Sequence, residues 1–291
     1  SLRSGIEAYD RRHGWRGAIA NKFKDKNWEN KVKQLKIDPT LNWEKAEIIN
    51  LKDIEINIRT LKGVKGNITL NKLKWAIKNQ SISKKFRVGD IILVKKEKNI
   101  WTLKQYPKVN GGIIALDPYT GDVKALVGGF NFKSSEFNRV TQAKPQLGSN
   151  YKPFLYAAAF ENDYTPATLI NDAPIVFEDA NLEDYWRPKN SSGKFYGPTR
   201  LREALLQSRN VVSIRLLQDL GLNKTKNYLT RFGFEKDELP NDLSLALGSY
   251  GLSPLQNASY FSVFANGGKS IQPFFIEKIL KKGEELSLIH I

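Results

Sequence analysis

Between residues 17 and 107, short segments alternate apolar and polar positions, and glycines separate several of them. A period of two places successive side chains on opposite faces of a β-strand. The segments with this pattern are 46–51, 54–58, 67–70, 90–94 and 100–103. The pattern predicts a small all-β domain over residues 17–107, for which an OB-like barrel is a suitable form.

After residue 107 the pattern changes to a mixture of strand-like and helix-like segments. Two apolar runs, 112–116 and 123–127, flank a turn sequence at 117–122 and together predict a β-hairpin. A strand-like run follows much later, at 272–279. Helical segments, several of them ending at a glycine, are expected at about 149–161, 200–220, 223–232 and 253–266. The predicted fold class is α+β, with the hairpin and the late strand in one sheet.

Positive charge is concentrated in the first of these regions. The formal net charge is +16, and residues 17–107 contain 21 Lys and Arg against nine Asp and Glu. Such charge attracts polyanions without identifying one. Because the lysines are spread along the segment and arginine is scarce, a solvated basic surface is favoured over a nucleic-acid site. The aromatic residues that such a site would use are Trp28, Trp43, Trp75 and Trp101.

Composition excludes several kinds of chemistry. The chain has no cysteine and only two histidines, His13 and His290. A disulfide framework, a thiolate nucleophile and a zinc site of the usual kind are therefore excluded, and we expect neither metal nor cofactor. No apolar run approaches the roughly 20 residues that cross a bilayer, so a membrane anchor is expected outside this chain.

Ser149 and Lys152 are the first candidate catalytic pair. Ser149 follows Gly148 and precedes a run of helix formers, so it is predicted to begin a helix. Residues three apart share a helix face, and the Lys152 amine is expected to reach the Ser149 hydroxyl. Burial near a helix N-terminus lowers the pKa of a lysine, which lets the amine act as a general base. The same spacing at Ser81 and Ser191 shows that spacing alone indicates only a helix cap with a solvated lysine.

Ser208 and Asn210 are the second candidate pair. The segment Ser208-Arg209-Asn210 is the only Ser-x-Asn in the chain and begins 59 residues after Ser149. The Ser208 hydroxyl can relay a proton between Lys152 and a leaving nitrogen, and the Asn210 amide can both donate to and accept from a peptide backbone. The structural alternative is a polar stretch within an amphipathic helix.

Several segments, in order along the chain, resemble class A penicillin-binding proteins of Gram-negative bacteria. The combination of Ser-x-x-Lys with a later Ser-x-Asn is typical of this family. The segments that carry the resemblance are 10–17, 137–143, 148–154, 186–190, 208–212, 245–249 and 265–268. The resemblance covers nearly the whole chain.

The resemblance implies a domain organisation. Residues 108–285 are expected to form a penicillin-binding/β-lactamase-like transpeptidase domain, with helices packed on a sheet. Residues 17–107 correspond to a basic, inserted OB-like domain that is expected to face an envelope protein partner. Residues 1–16 look like the linker that leads out of a glycosyltransferase region. Residues 286–291 resemble translated adapter sequence and are expected to be non-native.

The resemblance also implies an activity. Ser149 would attack the D-Ala-D-Ala bond of a peptidoglycan stem peptide, with Lys152 and Ser208 as the other catalytic residues and Asn210 as a substrate-binding residue. β-Lactams would acylate the same serine as substrate mimics. The parent protein is expected to be bifunctional, with glycosyltransferase activity, and to act at the periplasmic face of the inner membrane.

The sequence departs from the family pattern at the third motif. It contains no Lys-Thr-Gly or Lys-Ser-Gly, and the nearest segments are Lys224-Thr225-Lys226 and Lys269-Ser270-Ile271. In the family this motif supplies part of the oxyanion hole, and loss of one such donor typically costs about 10² to 10³ in rate. We expect the chain to end before the motif and the fragment to lack full activity.

Alternative functions remain at this stage. A serine β-lactamase would need a carboxylate that activates the deacylating water, and Asp237-Glu238 is the nearest candidate. A D,D-carboxypeptidase would use the same acyl-enzyme, and a basic binding module would need no catalysis at all. A Ser-His-Asp mechanism would require His13 or His290, whereas a Ser-Lys pair requires neither.

Overall fold

The computed structural model describes residues 2–178, 185–281 and 284–287. The chain divides into two compact units, one formed by residues 1–112 and 128–137 and the other by residues 113–127 and 138–291. Most of the segment 286–291, which was expected to be non-native, lies outside the described residues, including His290. Within the described part of the chain, no helix has the length and hydrophobicity needed to cross a membrane.

The first unit is built on an antiparallel sheet. Its strands are β1 (Ala20–Asn21), β2 (Glu44–Leu51), β3 (Glu55–Thr60), β4 (Lys65–Thr69), β5 (Asp90–Glu97) and β6 (Ile100–Lys104). Its helices are α1 (Leu2–Arg12), α2 (Trp28–Gln34), α3 (Leu70–Ile77) and α4 (Ile82–Lys85). The strand order is β1-β5-β2-β3-β4, and β6 pairs with β5. The alternating segments of the sequence therefore form the predicted strands.

The apolar positions of those strands form the core of the first unit. Ile48, Ile56, Ile58 and Ile68 are completely buried, as expected for a period-two pattern with one face inward. Helix α3 adds its residues Leu73, Ala76 and Ile77 to the same core. The alternating pattern did not indicate this helix, because its buried residues recur every three to four positions rather than every two.

Two of the tryptophans considered for nucleic-acid binding belong to the interior of the first unit. The exposed fractions of Trp43 and Trp101 are 6% and 5%, so neither ring can stack on a base. Trp101 packs against the backbone of Gly66, where a Cβ atom would lie 2.2 Å from the indole nitrogen. These two tryptophans thus support the fold rather than a nucleic-acid surface.

Helix α1 is tied to the first unit through a buried carboxylate. Asp10 accepts hydrogen bonds from the Arg16 guanidinium (2.9 Å to each oxygen), from Gln105 Nε2 (2.7 Å) and from the backbone N–H of Lys108 (3.0 Å). Burial alone would raise the pKa of Asp10, but these hydrogen bonds lower it below its ordinary value. By these contacts, residues 2–16 fold together with the OB-like sheet.

The second unit combines helices with short two-stranded sheets. Its strands are β7 (Ile113–Leu116), β8 (Val123–Val127), β9 (Leu169–Asp172), β10 (Phe177–Glu178), β11 (Tyr185–Trp186), β12 (Gly197–Arg200), β13 (Ile279–Lys281) and β14 (Glu284–Ser287). Its helices are α5 (Lys152–Phe160), α6 (Leu201–Leu206), α7 (Asn210–Leu220), α8 (Leu222–Leu229) and α9 (Pro254–Ser262). Short 3₁₀ turns lie at Gly148–Tyr151, Thr230–Phe232, Lys236–Glu238 and Leu243–Leu247.

An aromatic cluster fixes helix α5 in the second unit. Phe154 is completely buried, and its ring makes edge-on contacts at centroid distances of 5.0 to 5.2 Å. Its partners are Phe232, Phe234 and Phe261. Edge-to-face packing of this kind adds about 0.5 to 1.5 kcal/mol per pair beyond the burial of apolar area. Helix α5, which begins at Lys152, is thereby anchored on its buried side.

The predicted hairpin is confirmed, but the predicted late strand is wrong over most of its length. Strands β7 and β8 pair antiparallel, with Ile113 opposite Val127. Across 272–279 only a single parallel bridge forms, between Asp122 and Phe274, and regular strand begins at Ile279. Among the described residues, no strand pairs with positions 272–278 beyond this bridge, and Phe275 and Ile276 remain exposed.

Candidate active site

Ser149 lies in a 3₁₀ turn that leads directly into helix α5. The turn spans Gly148–Tyr151 and the helix begins at Lys152, so the predicted helix start is confirmed. Ser149 is exposed, whereas only 1% of Lys152 is exposed. One turn of helix therefore presents a hydroxyl to solvent and buries the amine beside it.

A second segment of the chain supports the Ser149 turn from behind. The N–H of Gly148 donates to the carbonyl of Gly248 at 3.0 Å, and the N–H of Leu147 donates to the carbonyl of Tyr250 at 2.9 Å. Gly248 has φ +70°, and a Cβ atom there would lie 2.1 Å from the Gly148 carbonyl oxygen. The close approach thus requires glycine at position 248.

The helix predicted over 200–220 is interrupted at Ser208. Helix α6 ends at Leu206, and its C-terminus has the two hydrogen bonds of a Schellman motif. These run from the N–H of Ser208 to the carbonyl of Leu205 (3.0 Å) and from the N–H of Arg209 to the carbonyl of Ala204 (2.8 Å). Ser208 has φ +53°, in the left-handed region where glycine is usual. The expectation of one continuous helix is therefore wrong, and the break turns Ser208 toward Lys152.

Lys152 is the centre of the hydrogen-bond network at this break. Its Nζ donates to the Ser208 carbonyl oxygen at 2.7 Å, to Ser208 Oγ at 3.0 Å and to Asn210 Oδ1 at 2.8 Å. Ser208 Oγ in turn donates to Ser149 Oγ at 2.9 Å. The four residues selected from the sequence thus lie together, and Ser208 connects the amine to the Ser149 hydroxyl.

The protonation state of Lys152 decides the direction of the hydrogen bonds that link Lys152, Ser208 and Ser149. An ammonium group has three donors, and the three acceptors around Nζ take all of them. Burial lowers the pKa of Lys152 to about 8, so a sizeable fraction of the amine is neutral near physiological pH. A neutral amine has two N–H groups, for the Ser208 carbonyl and Asn210, and one lone pair that can accept the Ser208 hydroxyl proton. The same heavy-atom geometry therefore serves both states.

Asn210 is largely engaged by the protein itself. Its Oδ1 accepts from Lys152, and its Nδ2 donates to the carbonyl of Lys189 at 3.0 Å. One side-chain N–H remains available to a ligand, since an amide nitrogen carries two. The Oδ1 atom likewise has a second lone pair, so the expected role, in which Asn210 both donates to and accepts from a substrate backbone, stays a prediction.

Two residues at the site had no assigned role from the sequence. Asn190 Oδ1 accepts from the backbone N–H of Asn210 at 2.8 Å, and Asn190 Nδ2 donates to both carboxylate oxygens of Asp172 at 2.8 and 2.9 Å. Asn190 belongs to the segment 186–190, which carries part of the family resemblance. That segment was the only sequence feature that pointed to Asn190, and no sequence feature pointed to Asp172.

The other residues with the same spacing do not form comparable pairs. Lys84 and Lys194, the partners of Ser81 and Ser191 by spacing, are both exposed. Neither side chain is buried as that of Lys152 is. Among residues 2–178 and 185–281, no group of three or more His, Cys, Asp and Glu is arranged to hold a metal ion.

Comparison with known proteins agrees with both units. Residues 111–288 match the family described as penicillin binding protein transpeptidase domain, and residues 15–109 match the penicillin-binding protein OB-like domain. The chain is 42% identical over 294 residues to penicillin-binding protein 1A of Pseudomonas aeruginosa and 37% identical over 294 residues to that of Escherichia coli. Each alignment covers 96% of this chain but only 35% of the relative. The chain thus spans about a third of the length of these relatives.

Comparison with solved structures also finds penicillin-binding proteins. The crystal structure of penicillin-binding protein 1A from Haemophilus influenzae superimposes with a TM-score of 0.81 at 33% identity and covers 99% of this chain and 43% of that one. Penicillin-binding protein A of Mycobacterium tuberculosis, solved as an acyl-enzyme with penicillin G, superimposes with a TM-score of 0.53 at 21% identity. The second similarity covers 63% of this chain and 52% of that one and concerns the fold alone.

Proposed function

Because this chain belongs to the penicillin-binding protein family, we propose that it contains the acyl-transfer site of a peptidoglycan D,D-transpeptidase, with Ser149 as the nucleophile. The observation that carries the proposal is the continuous hydrogen-bond path from Lys152 through Ser208 to Ser149, with oxygen-to-oxygen and nitrogen-to-oxygen distances of 2.9 and 3.0 Å. A hydroxyl connected in this way to a buried amine of lowered pKa is an activated nucleophile.

Acylation would proceed from the neutral form of Lys152. The Ser149 proton moves to Ser208 Oγ as the Ser208 proton moves to Lys152 Nζ, and Ser149 Oγ forms a bond to the carbonyl carbon of the penultimate D-Ala. Collapse of the tetrahedral intermediate breaks the bond between that carbon and the amide nitrogen. The leaving D-Ala amine takes its proton back through Ser208, which restores neutral Lys152.

Transfer of the acyl group to the acceptor amine uses the same proton path through Ser208. The amine of a neighbouring stem peptide attacks the ester carbon of the acyl-enzyme and gives up a proton through Ser208 to Lys152. The ester C–O bond then breaks, and Ser149 Oγ recovers its proton through Ser208. A new peptide bond joins the two stems, and no atom of the site is consumed. The remaining Asn210 N–H would donate to a backbone carbonyl of the substrate.

β-Lactams would react with Ser149 through the acylation half of this mechanism. Attack of Ser149 on the lactam carbonyl breaks the ring C–N bond, but the amine stays covalently attached to the acyl group. Because it cannot diffuse away, it continues to occupy the place of the acceptor amine. The adduct is therefore protected from attack by an acceptor amine. It is expected to be long-lived, because its hydrolysis would require a carboxylate that activates a water, as in a β-lactamase.

The proposal is tested by labelling with a fluorescent penicillin. In the protein encoded by the complete gene, we expect one stable adduct, located at Ser149 by peptide mass spectrometry and absent from Ser149→Ala. Ser81→Ala, which removes another serine of the same spacing, is the matched control and should label normally. Labelling that persists in Ser149→Ala, or an adduct that turns over within seconds, would contradict the transpeptidase assignment.

The same proposal places the enzyme in the cell envelope. Stem peptides are cross-linked outside the cytoplasm, so the site would act at the periplasmic face of the inner membrane. The basic surface of the OB-like unit would face an envelope partner. Fractionation of cells that carry the labelled protein tests the location, and recovery in the cytosolic fraction alone would contradict it.

A further inference from the structure

The buried carboxylate of Asp172 anchors one asparagine side chain. Asp172 ends strand β9 and is completely buried. Its two carboxylate oxygens accept from Asn190 Nδ2 at 2.8 and 2.9 Å, and the same nitrogen lies 2.9 Å from the carbonyl of Lys194. Asn190 is itself only 4% exposed. Hydrogen bonds to a charged acceptor in a buried site are stronger than neutral ones, so the amide group has a defined orientation.

The other end of the Asn190 amide caps a helix that begins at the active site. Asn190 Oδ1 accepts from the backbone N–H of Asn210 at 2.8 Å and of Val211 at 3.3 Å. These are the first N–H groups of helix α7, which have no acceptor within the helix. Arg209, at the N-cap position, makes no side-chain cap hydrogen bond. The cap therefore comes from a residue that is 20 positions away in sequence.

The cap also determines where Asn210 presents its side chain. The segment Lys189-Asn190 holds Asn210 at two points, through its backbone N–H and through its Nδ2. With the nitrogen held by the Lys189 carbonyl, Oδ1 must point the other way, and it lies 2.8 Å from Lys152 Nζ. The position of Asn210 Oδ1 therefore depends on Asn190.

We propose that Asn190, anchored on Asp172, is a positioning residue for acylation: it fixes Asn210 so that Oδ1 holds the Lys152 amine in line with Ser208 and Ser149. The inference rests on the proposed function, because it assigns a role within the same site. Asn190 contacts none of the reacting atoms and acts through Asn210. Misplacement of a catalytic group by about 1 Å can cost about 100-fold in rate, so loss of this support should be visible in acylation.

A purely structural role would also lower activity by unfolding the protein, and a double-mutant cycle separates the two. In the protein encoded by the complete gene, the second-order rate of penicillin acylation is measured for Asn190→Ala, Asn210→Ala and the double variant. If Asn190 acts through Asn210, the double variant should be no more than about threefold slower than Asn210→Ala alone. Asn190→Ala alone should be about 10- to 100-fold slower than the parent.

Asn21 of the first unit provides a matched control. Its Nδ2 donates to the buried Asp90 at 2.7 Å, and its Oδ1 accepts from the successive N–H groups of Phe23 and Lys24 at 3.0 and 3.1 Å. Asn21→Ala removes hydrogen bonds of the same kinds, to a buried carboxylate and from two successive backbone N–H groups, without changing the active-site network. It should lower the melting temperature while the acylation rate at a temperature well below melting stays within about twofold of the parent.

The outcomes are distinct. Failure of the parent to acquire a label at Ser149 overturns the proposed function. Two results overturn only the role of Asn190 when the parent is labelled at Ser149. One is that the rate losses of Asn190→Ala and Asn210→Ala multiply in the double variant. The other is an acylation rate of Asn190→Ala within twofold of the parent. If Asn190→Ala does not fold, Asp172→Asn replaces it in the cycle, because a neutral amide oxygen can still accept one hydrogen bond from Asn190. The same non-additivity with Asn210→Ala is then expected.

Discussion

The pH dependence of acylation gives the sharpest test of Lys152 as the base. Burial lowers the pKa of this amine to about 8 from an ordinary value of 10.5. At pH 7 about a tenth of the lysine is then neutral, compared with about three in ten thousand for a solvated lysine. Only the neutral amine can accept the proton that leaves Ser149 through Ser208. The rate should therefore rise about tenfold from pH 7 and level off above pH 9.

The measurement is the second-order rate of labelling by a fluorescent penicillin between pH 6 and 9.5, with the adduct quantified at Ser149. Lys152→Arg removes the base but keeps a cation, because a guanidinium does not lose its proton in this range. We expect Lys152→Arg and Lys152→Ala to lower the rate by at least about 100-fold and to abolish the rise with pH.

Lys226 is the matched control for this experiment. It is also a buried lysine of the second unit, and its Nζ donates to the Leu239 carbonyl at 2.8 Å and to Asn241 Oδ1 at 2.7 Å. Lys226→Ala should reduce stability but preserve both the acylation rate and its pH profile. A pH-independent rate in the parent, or undiminished acylation in Lys152→Ala, would refute Lys152 as the base. A rate that still rises without levelling off at pH 9.5 would refute the lowered pKa of Lys152.

Three further predictions concern the surroundings of this amine. Gly248→Ala should slow acylation at least about tenfold, because its Cβ would meet the Gly148 carbonyl at 2.1 Å; Gly193→Ala, at a similar φ but with no atom within 4 Å, should not. Ser208→Ala should slow acylation by about 100-fold at every pH, since the proton path is cut, and a rate within threefold of the parent would contradict the relay. In urea unfolding, the stability of the parent relative to Lys152→Met should rise by about 3 kcal/mol between pH 7.5 and 10.5, because the unfolded chain binds the additional proton in this window. A difference that stays constant with pH would contradict the lowered pKa of Lys152.

Local patterns in the sequence were sufficient for those features that depend on near neighbours. Alternation identified the strands β2 to β6 of the first unit, and the turn at 117–122 identified the hairpin, because side-chain direction in a strand and turn conformation are set by adjacent residues. The same holds for Ser149 at the start of a helix with Lys152 one turn further on. The late strand at 272–279 failed because a strand needs a partner, and residue pattern alone does not supply one.

Tertiary packing decided how the candidate residues act together. The sequence predicted direct contact between Lys152 and Ser149, whereas the structure places Ser208 between them as the connecting hydroxyl. That arrangement requires the left-handed backbone at Ser208, which interrupts a segment with continuous helical periodicity. Helical propensity is a weak local preference, and hydrogen bonds from residues about 60 positions away outweigh it.

The support of Asn210 by Asn190 and Asp172 also depends on tertiary contacts, between residues 20 and 18 positions apart. Asn190, between Lys189 and Ser191, and Asp172, at a strand end, carry no local signal of a shared role, because neighbouring residues do not determine which helix they will contact. By itself, the sequence identified the side chains that are proposed for acyl transfer and predicted Ser149 and Lys152 at a helix start, but it did not predict the helix break at Ser208. Only the tertiary structure decided which groups touch, how deeply the amine is buried and hence which of its protonation states is available, because these depend on contacts between residues far apart in the chain.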